Sequence, residues 1–155
     1  MDIDAKGFVE LGRALRDAGN KDLNKRLRKG IREAGKPIIA AQRRNVRGLA
    51  GAPSEWKTSA SRRTRIAINN RSKKRAGIRI LTTPARGSEG GPFARYMNRG
   101  KWRHPVFGDR ERWVTQTVSK GWFDGPAEAA DMVVTPKLRR VLAEVVDEIA
   151  RRTNT

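Results

Sequence analysis

The sequence predicts an α+β fold: a small antiparallel sheet packed by a long kinked N-terminal helix and a C-terminal helix, with long loops. Three observations carry that expectation. Apolar residues recur at helical spacing over residues 20–46 and again over 136–151. Between these stretches, Ile66 and Ile68, then Ile78 and Ile80, alternate with polar or small residues, as in half-buried strands. At 155 residues the chain has the length of one domain, 1–155, and is large enough to bury a core unaided.

A first helix is expected over 5–18. Asp4 is a good N-cap, Phe8, Leu11, Leu15 and Ala18 share one face, and Gly19 is a natural stop. The longer helix carries Leu23, Leu27, Ile31, Ala34, Ile38 and Ala41 on one side and Lys25, Lys29, Arg32, Lys36 and Arg43 on the other. Pro37 falls inside it without breaking the phase of the apolar stripe, so one kinked helix is expected rather than two.

Residues 48–62 read as a loop rich in Gly, Pro and Ser, with a short helical turn from Ser59. A hairpin follows, its open turn formed by Ser72-Lys73-Lys74-Arg75. Residues 84–92 read as the most flexible stretch and 93–102 as one irregular turn. Further short strands are expected at His104 to Phe107 and Trp113 to Val118, with a connection at 121–126. The last helix is expected over 136–151. Thr135 would cap it, Pro136 would occupy its first position, and Leu138, Val141, Leu142, Val145 and Ile149 would form its buried stripe.

Charge is unevenly distributed. The net charge is +19, yet residues 20–75 alone hold 18 basic and 3 acidic groups, while 1–19 and 124–155 are each at −1. Such a field draws a polyanion or an acidic protein surface. The expected basic surface comprises Arg32, Lys36, Arg43, Arg62, Arg63, Arg65, Lys73, Lys74 and Arg75.

Several function classes lose their chemical basis. With no cysteine, disulfides, thiolate metal sites and a cysteine nucleophile are excluded. The acidic start, Met1-Asp2-Ile3-Asp4-Ala5, is not a signal peptide, and no window approaches the roughly 18 apolar residues that span a bilayer. The single histidine, His104, lies in Trp102-Arg103-His104-Pro105 with no nucleophile motif. Asp109 and Glu111 are flanked by Arg110 and Arg112, and the glycines at 87–91 lack the Lys-Ser/Thr of a phosphate loop. No enzymatic activity, cofactor or metal is expected.

Aromatic and basic residues interleave at Phe93, Arg95, Tyr96, Arg99, Lys101, Trp102, Arg103 and Phe107. Such residues stack on single-stranded bases, or serve equally as core anchors or hot spots of a protein interface. No RNA-recognition or zinc-finger signature accompanies them, which favours protein packing over base stacking. The expected interface set is Phe93, Tyr96, Arg99, Trp102, Arg103, His104 and Phe107.

The run Tyr96-Met97-Asn98-Arg99-Gly100-Lys101-Trp102-Arg103-His104-Pro105-Val106-Phe107-Gly108 is the most distinctive of the chain. With Arg112-Trp113-Val114-Thr115-Gln116 and Gly121-Trp122-Phe123-Asp124-Gly125-Pro126, it resembles the neck or tail-completion family of long-tailed bacteriophages, in its actinobacteriophage versions. The likeness extends to Leu27 through Ile38, Arg75 through Ile80 and Leu142 through Ala150, nearly the whole chain. It implies a virion protein of the head-to-tail connector, assembled in the bacterial host cytoplasm. Such subunits form homo-oligomeric rings around the DNA channel, between other neck and tail subunits, with no membrane contact. It carries no catalytic residues. The alternative from composition is a small basic nucleic-acid-binding protein acting alone.

Overall fold

The long amphipathic stretch does form one helix, and it continues through its proline. In a computed structural model, which describes residues 5–17, 21–70, 77–82, 90–106 and 108–153, the order is α1 (Ala5–Asp17), α2 (Lys21–Arg47), α3 (Ser54–Arg63), β1 (Arg65–Asn69), β2 (Gly77–Leu81), α4 (Gly90–Arg99), β3 (Lys101–Val106), β4 (Asp109–Thr117) and α5 (Asp124–Thr153). The fold is α+β, with a long N-terminal and a long C-terminal helix. Its strands form two separate two-stranded sheets, β1–β2 and β3–β4, not the one sheet expected. Asp4, Ala18, Gly19 and the turn at 72–75 lie outside the described residues.

The chain divides into two compact units that interleave in sequence. One comprises Met1–Pro37, Ile66–Ile80 and Ala130–Thr155; the other comprises Ile38–Arg65 and Leu81–Ala129. Because α2 and α5 each pass from one unit to the other, no linker marks the division in the sequence.

The first unit has an aliphatic core. Phe8, Leu11 and Leu15 from α1, Leu23, Leu27 and Ile31 from α2 and Val145 from α5 are buried together. Ile66, Ile68 and Ile78 of the β1–β2 hairpin pack on them, as do Leu138, Val141, Leu142, Val146 and Ile149 of α5. The expected C-terminal stripe thus faces this core, although only Val145 in it is fully buried. Close approach of α2 and α5 depends on Gly30, where an added Cβ would come within 2.6 Å of Val141 Cγ1.

The second unit is built on aromatic rings. Trp56 meets Phe93 and Trp122 edge-on at 5.1 and 5.9 Å between centroids, and Phe93 meets Trp102 at 4.7 Å. Val46, Leu49, Ala52, Ala60 and Met97 complete the buried cluster. This arrangement overturns three expectations. Residues 54–63, expected within a loop, form α3, because Trp56 and Ala60 are one turn apart and both bury. Residues 90–99, expected as flexible chain and an irregular turn, form α4, which buries Phe93 and Met97 at the same spacing. In both cases two apolar anchors suffice, too few for a visible period.

The third correction is the start of α5. It begins at Asp124, not at 136, and passes through Pro136. Thr135 does not cap a helix; its hydroxyl donates to Asp131 Oδ1 at 2.7 Å. The true start is held by a side chain distant in sequence. Asn98 Oδ1 accepts from the backbone N–H of Phe123 at 2.9 Å and of Asp124 at 3.4 Å. The Asn98 amide also donates to the Asp124 carboxylate. Buried Gln42 donates to the carbonyl of Phe123 at 2.7 Å. The bonds accepted by Asn98 Oδ1 satisfy backbone N–H groups that a helix start leaves open, and the other two fix the segment in place.

Gly100 ends α4 with φ +82°, and its N–H reaches the carbonyls of Tyr96 and Met97. A Cβ there would also sit 3.0 Å from the carbonyl oxygen of Val118 and 2.9 Å from Lys120 Cβ, so glycine is needed twice over. The strands that follow are longer than expected. β3 pairs antiparallel with β4 from Lys101↔Thr117 to Pro105↔Trp113, and the register shifts between Pro105 and Val106. A proline cannot donate to the ladder and is accommodated at such irregularities.

Candidate nucleic-acid and subunit interfaces

The expected interface residues divide into core and surface. Phe93 is 8% exposed and belongs to the aromatic core, so it is not an outward anchor. Trp102 is half-buried against that core, with the His104 ring stacked on it at 4.4 Å. The His104 Nδ1 lies 3.1 Å from the carbonyl oxygen of Pro105. Tyr96, Arg99 and Arg103 are exposed, with the Arg103 guanidinium over the ring of Trp113 at 5.2 Å. Phe107 lies outside the described residues. The irregular turn expected over 93–102 is replaced by the end of α4 and the start of β3, which order this segment within the chain itself.

Sequence reading missed the surface offered by β4. Eight of its nine residues are exposed, Trp113 and Val114 by 47% and 40%. A two-stranded ribbon buries little by itself and leaves both edges unpaired. The alternation in Trp113-Val114-Thr115-Gln116-Thr117 signalled a strand but not that both its faces meet solvent.

The expected basic residues are likewise dispersed. Arg32, Lys36, Arg62, Arg63 and Arg65 are exposed; Lys36 pairs with Glu33 at 2.7 Å. Arg43 is half-buried and donates to the carbonyl of Thr64 at 2.9 Å, a structural role in its own unit. Lys73, Lys74 and Arg75 lie outside the described residues.

Of the expected basic residues that are described, Arg32 lines a concavity of the first unit. This is an open groove of about 520 Å³ between α2 and the end of β1, bordered by Lys21, Asn24, Lys25, Arg28, Arg32, Ile68, Asn69 and Asn70. The four cations follow each other at intervals of four, three and four residues, which places them on one helical face. Arg28 is half-buried and anchored across to β1, its Nη2 donating to the carbonyl of Ile68 at 3.3 Å. Asn70 is 1% exposed, and among the described residues neither its amide nitrogen nor its amide oxygen has a partner. The Asn24 side-chain oxygen is in the same position. Helical spacing marks these cations in the sequence; nothing in the sequence signals the buried amides.

Among the described residues, no group of three or more His, Asp or Glu side chains is placed to hold a metal, and no helix is long and apolar enough to cross a membrane. No protein-family model, curated protein or solved structure is detectably similar to the chain.

Proposed function

We propose that the chain is a non-enzymatic structural subunit of a bacteriophage head-to-tail connector, one copy of a ring around the DNA channel. The observation that carries this reading is the β3–β4 ribbon, which leaves Trp113 and Val114 exposed by 47% and 40%. A ring closed by rotation needs a surface of this kind on one side of each subunit, fitted to a different surface of the next. Exposed aromatics are apt anchors for such a contact. The resemblance of Tyr96 through Gly108, with Trp113 and Trp122 beyond it, to phage neck and tail-completion proteins points the same way. In this role the chain meets copies of itself, other neck and tail subunits, and the DNA passing through.

The test is its presence in particles. Mass spectrometry of purified virions should find the chain at a fixed copy number. A Trp113→Asp, Val114→Asp variant that remains folded should yield DNA-filled heads without tails. Absence from virions, or normal tails in the variant, would refute the proposal. The second reading, a basic nucleic-acid-binding protein acting alone, is favoured by the +19 charge. It requires a monomer that never enters particles.

A further inference from the structure

We infer that the groove between α2 and β1 is a phosphodiester-backbone site, taking one strand of duplex DNA along the face formed by Lys21, Lys25, Arg28 and Arg32. The inference rests on the channel reading only for the identity of the polymer; the site itself belongs to the first unit, whatever assembly the chain enters.

Charge and geometry come first. From Lys21 to Arg32 the α-helix advances about 16 Å at roughly 1.5 Å per residue. A duplex carries one negative charge per ~1.7 Å of axis, so a row of this length faces many phosphates at once. Lysine ammoniums act as point charges and arginine as a fork, so the set can follow a backbone without reading sequence. Among the described residues bordering the groove there is no Asp or Glu to oppose the anion.

The groove also has a built floor. A buried amide without a partner is rare and calls for an occupant. The Asn70 side chain is such an amide, closed from solvent in the free chain beside Gly12 of α1, and its NH2 reaches a phosphate oxygen by turning into the groove. Its backbone is fixed as well, since Arg16 donates to the Asn70 carbonyl at 3.4 Å. Arg28, tied to the Ile68 carbonyl, reaches the groove pre-oriented.

The same lining argues against an acidic protein as occupant. Protein interfaces centre on buried apolar or aromatic anchors. Here Ile68 alone is apolar, among four cations and three asparagines. Phosphate contact needs no apolar centre.

The test is fluorescence anisotropy of the full-length chain with a labelled random-sequence duplex across a salt series. Lys21, Lys25 and Arg32 are exposed, so a Lys21→Ser, Lys25→Ser, Arg32→Ser variant should fold normally. It is expected to weaken binding by roughly ten- to a hundredfold and to flatten the log–log salt slope by about 2.7, or 0.9 per phosphate lost. A control losing the same charge elsewhere, Arg112→Ser, Lys120→Ser, Lys137→Ser, should weaken it less than about threefold. Asn70→Asp, close in size, brings a carboxylate against the phosphate and should abolish binding with the helical signal retained. Equal losses in the triple variant and the control would mean that net charge alone binds DNA, and would overturn the site. So would unchanged binding in both groove variants, or groove-dependent capture of a poly-glutamate peptide in preference to the duplex. None of these outcomes bears on whether the chain is found in virions, so the two proposals fail separately.

Discussion

The two units solve the same packing problem with different side chains. In the first, long helices bring rows of Leu, Ile and Val to a common core, each contributing a modest area. In the second, short helices and turns bring single rings: Trp56 from α3, Phe93 from α4 and Trp122 from the segment before α5. A buried aromatic removes about 150–250 Å² from water, more than any aliphatic side chain. One ring with a single further apolar residue therefore anchors each of these ten-residue helices. The difference also fixes where function can reside. Regular helices leave a continuous outer face for charge, as along α2; the aromatic cluster packs its hairpin at Trp102 and leaves Trp113 and Val114 exposed.

The largest effect expected of a single substitution lies in the aromatic core. Trp56→Ala removes the ring that touches both Phe93 and Trp122 and should destabilise by about 3–5 kcal/mol. All four tryptophans belong to the second unit, so emission from the remaining three in a urea titration reads that unit directly. A loss under about 1 kcal/mol would show that the ring cluster is not the anchor claimed here.

Leu27→Ala, at a fully buried site of the aliphatic core, should cost about 2–5 kcal/mol. Its loss is expected in far-UV circular dichroism, with a smaller shift in tryptophan emission. Coincident shifts in both signals would abolish the energetic distinction between the units.

Asn98→Ala strips the acceptor from the first backbone groups of α5 and should cost about 1–2 kcal/mol. Thr135→Ala, by contrast, should change stability by less than about 0.5 kcal/mol, because Pro136 lies inside the helix and its neighbour caps nothing. Thermal melts of the pair test the boundary of α5; a larger loss at Thr135 than at Asn98 would restore the later start.

The smallest effect is electrostatic. The hydrogen bond from Arg152 holds the Glu148 carboxyl below its ordinary value of 4.5, with desolvation opposing it and the charges of Arg152, Arg151 and Arg26 assisting. A folded-state pKa below the unfolded one stabilises above the unfolded value, and that stability is lost as pH falls through the folded one. Glu148→Gln should therefore lower the melting temperature slightly at neutral pH and leave it unchanged once both carboxyl forms are protonated. An equal deficit at both pH values would assign the effect to shape rather than charge.

Sequence by itself determined the aliphatic unit almost completely. Periodicity is a property of regular elements packed along one face, so α1, α2 and the rear half of α5 stand in the sequence as stripes. The alternation at Ile66–Ile68 and Ile78–Ile80 marks β1 and β2 for the same reason. Concentration of positive charge in residues 20–75 was equally plain. Tertiary structure alone decided the aromatic unit. Two anchors per helix make no period, so α3 and α4 read as loop and turn until Trp56, Ala60, Phe93 and Met97 find each other. The start of α5 was hidden because its cap, Asn98, comes from 25 residues away, while Pro136 carried the local signature of a first position. The groove divides along the same line. Spacing places Lys21, Lys25, Arg28 and Arg32 on one helical face, but only the folded chain lays the end of β1 beside them and buries the Asn70 side-chain amide with no partner among the described residues. Local patterns record what each element buries against a continuous face; contacts between single residues far apart in sequence leave no such record.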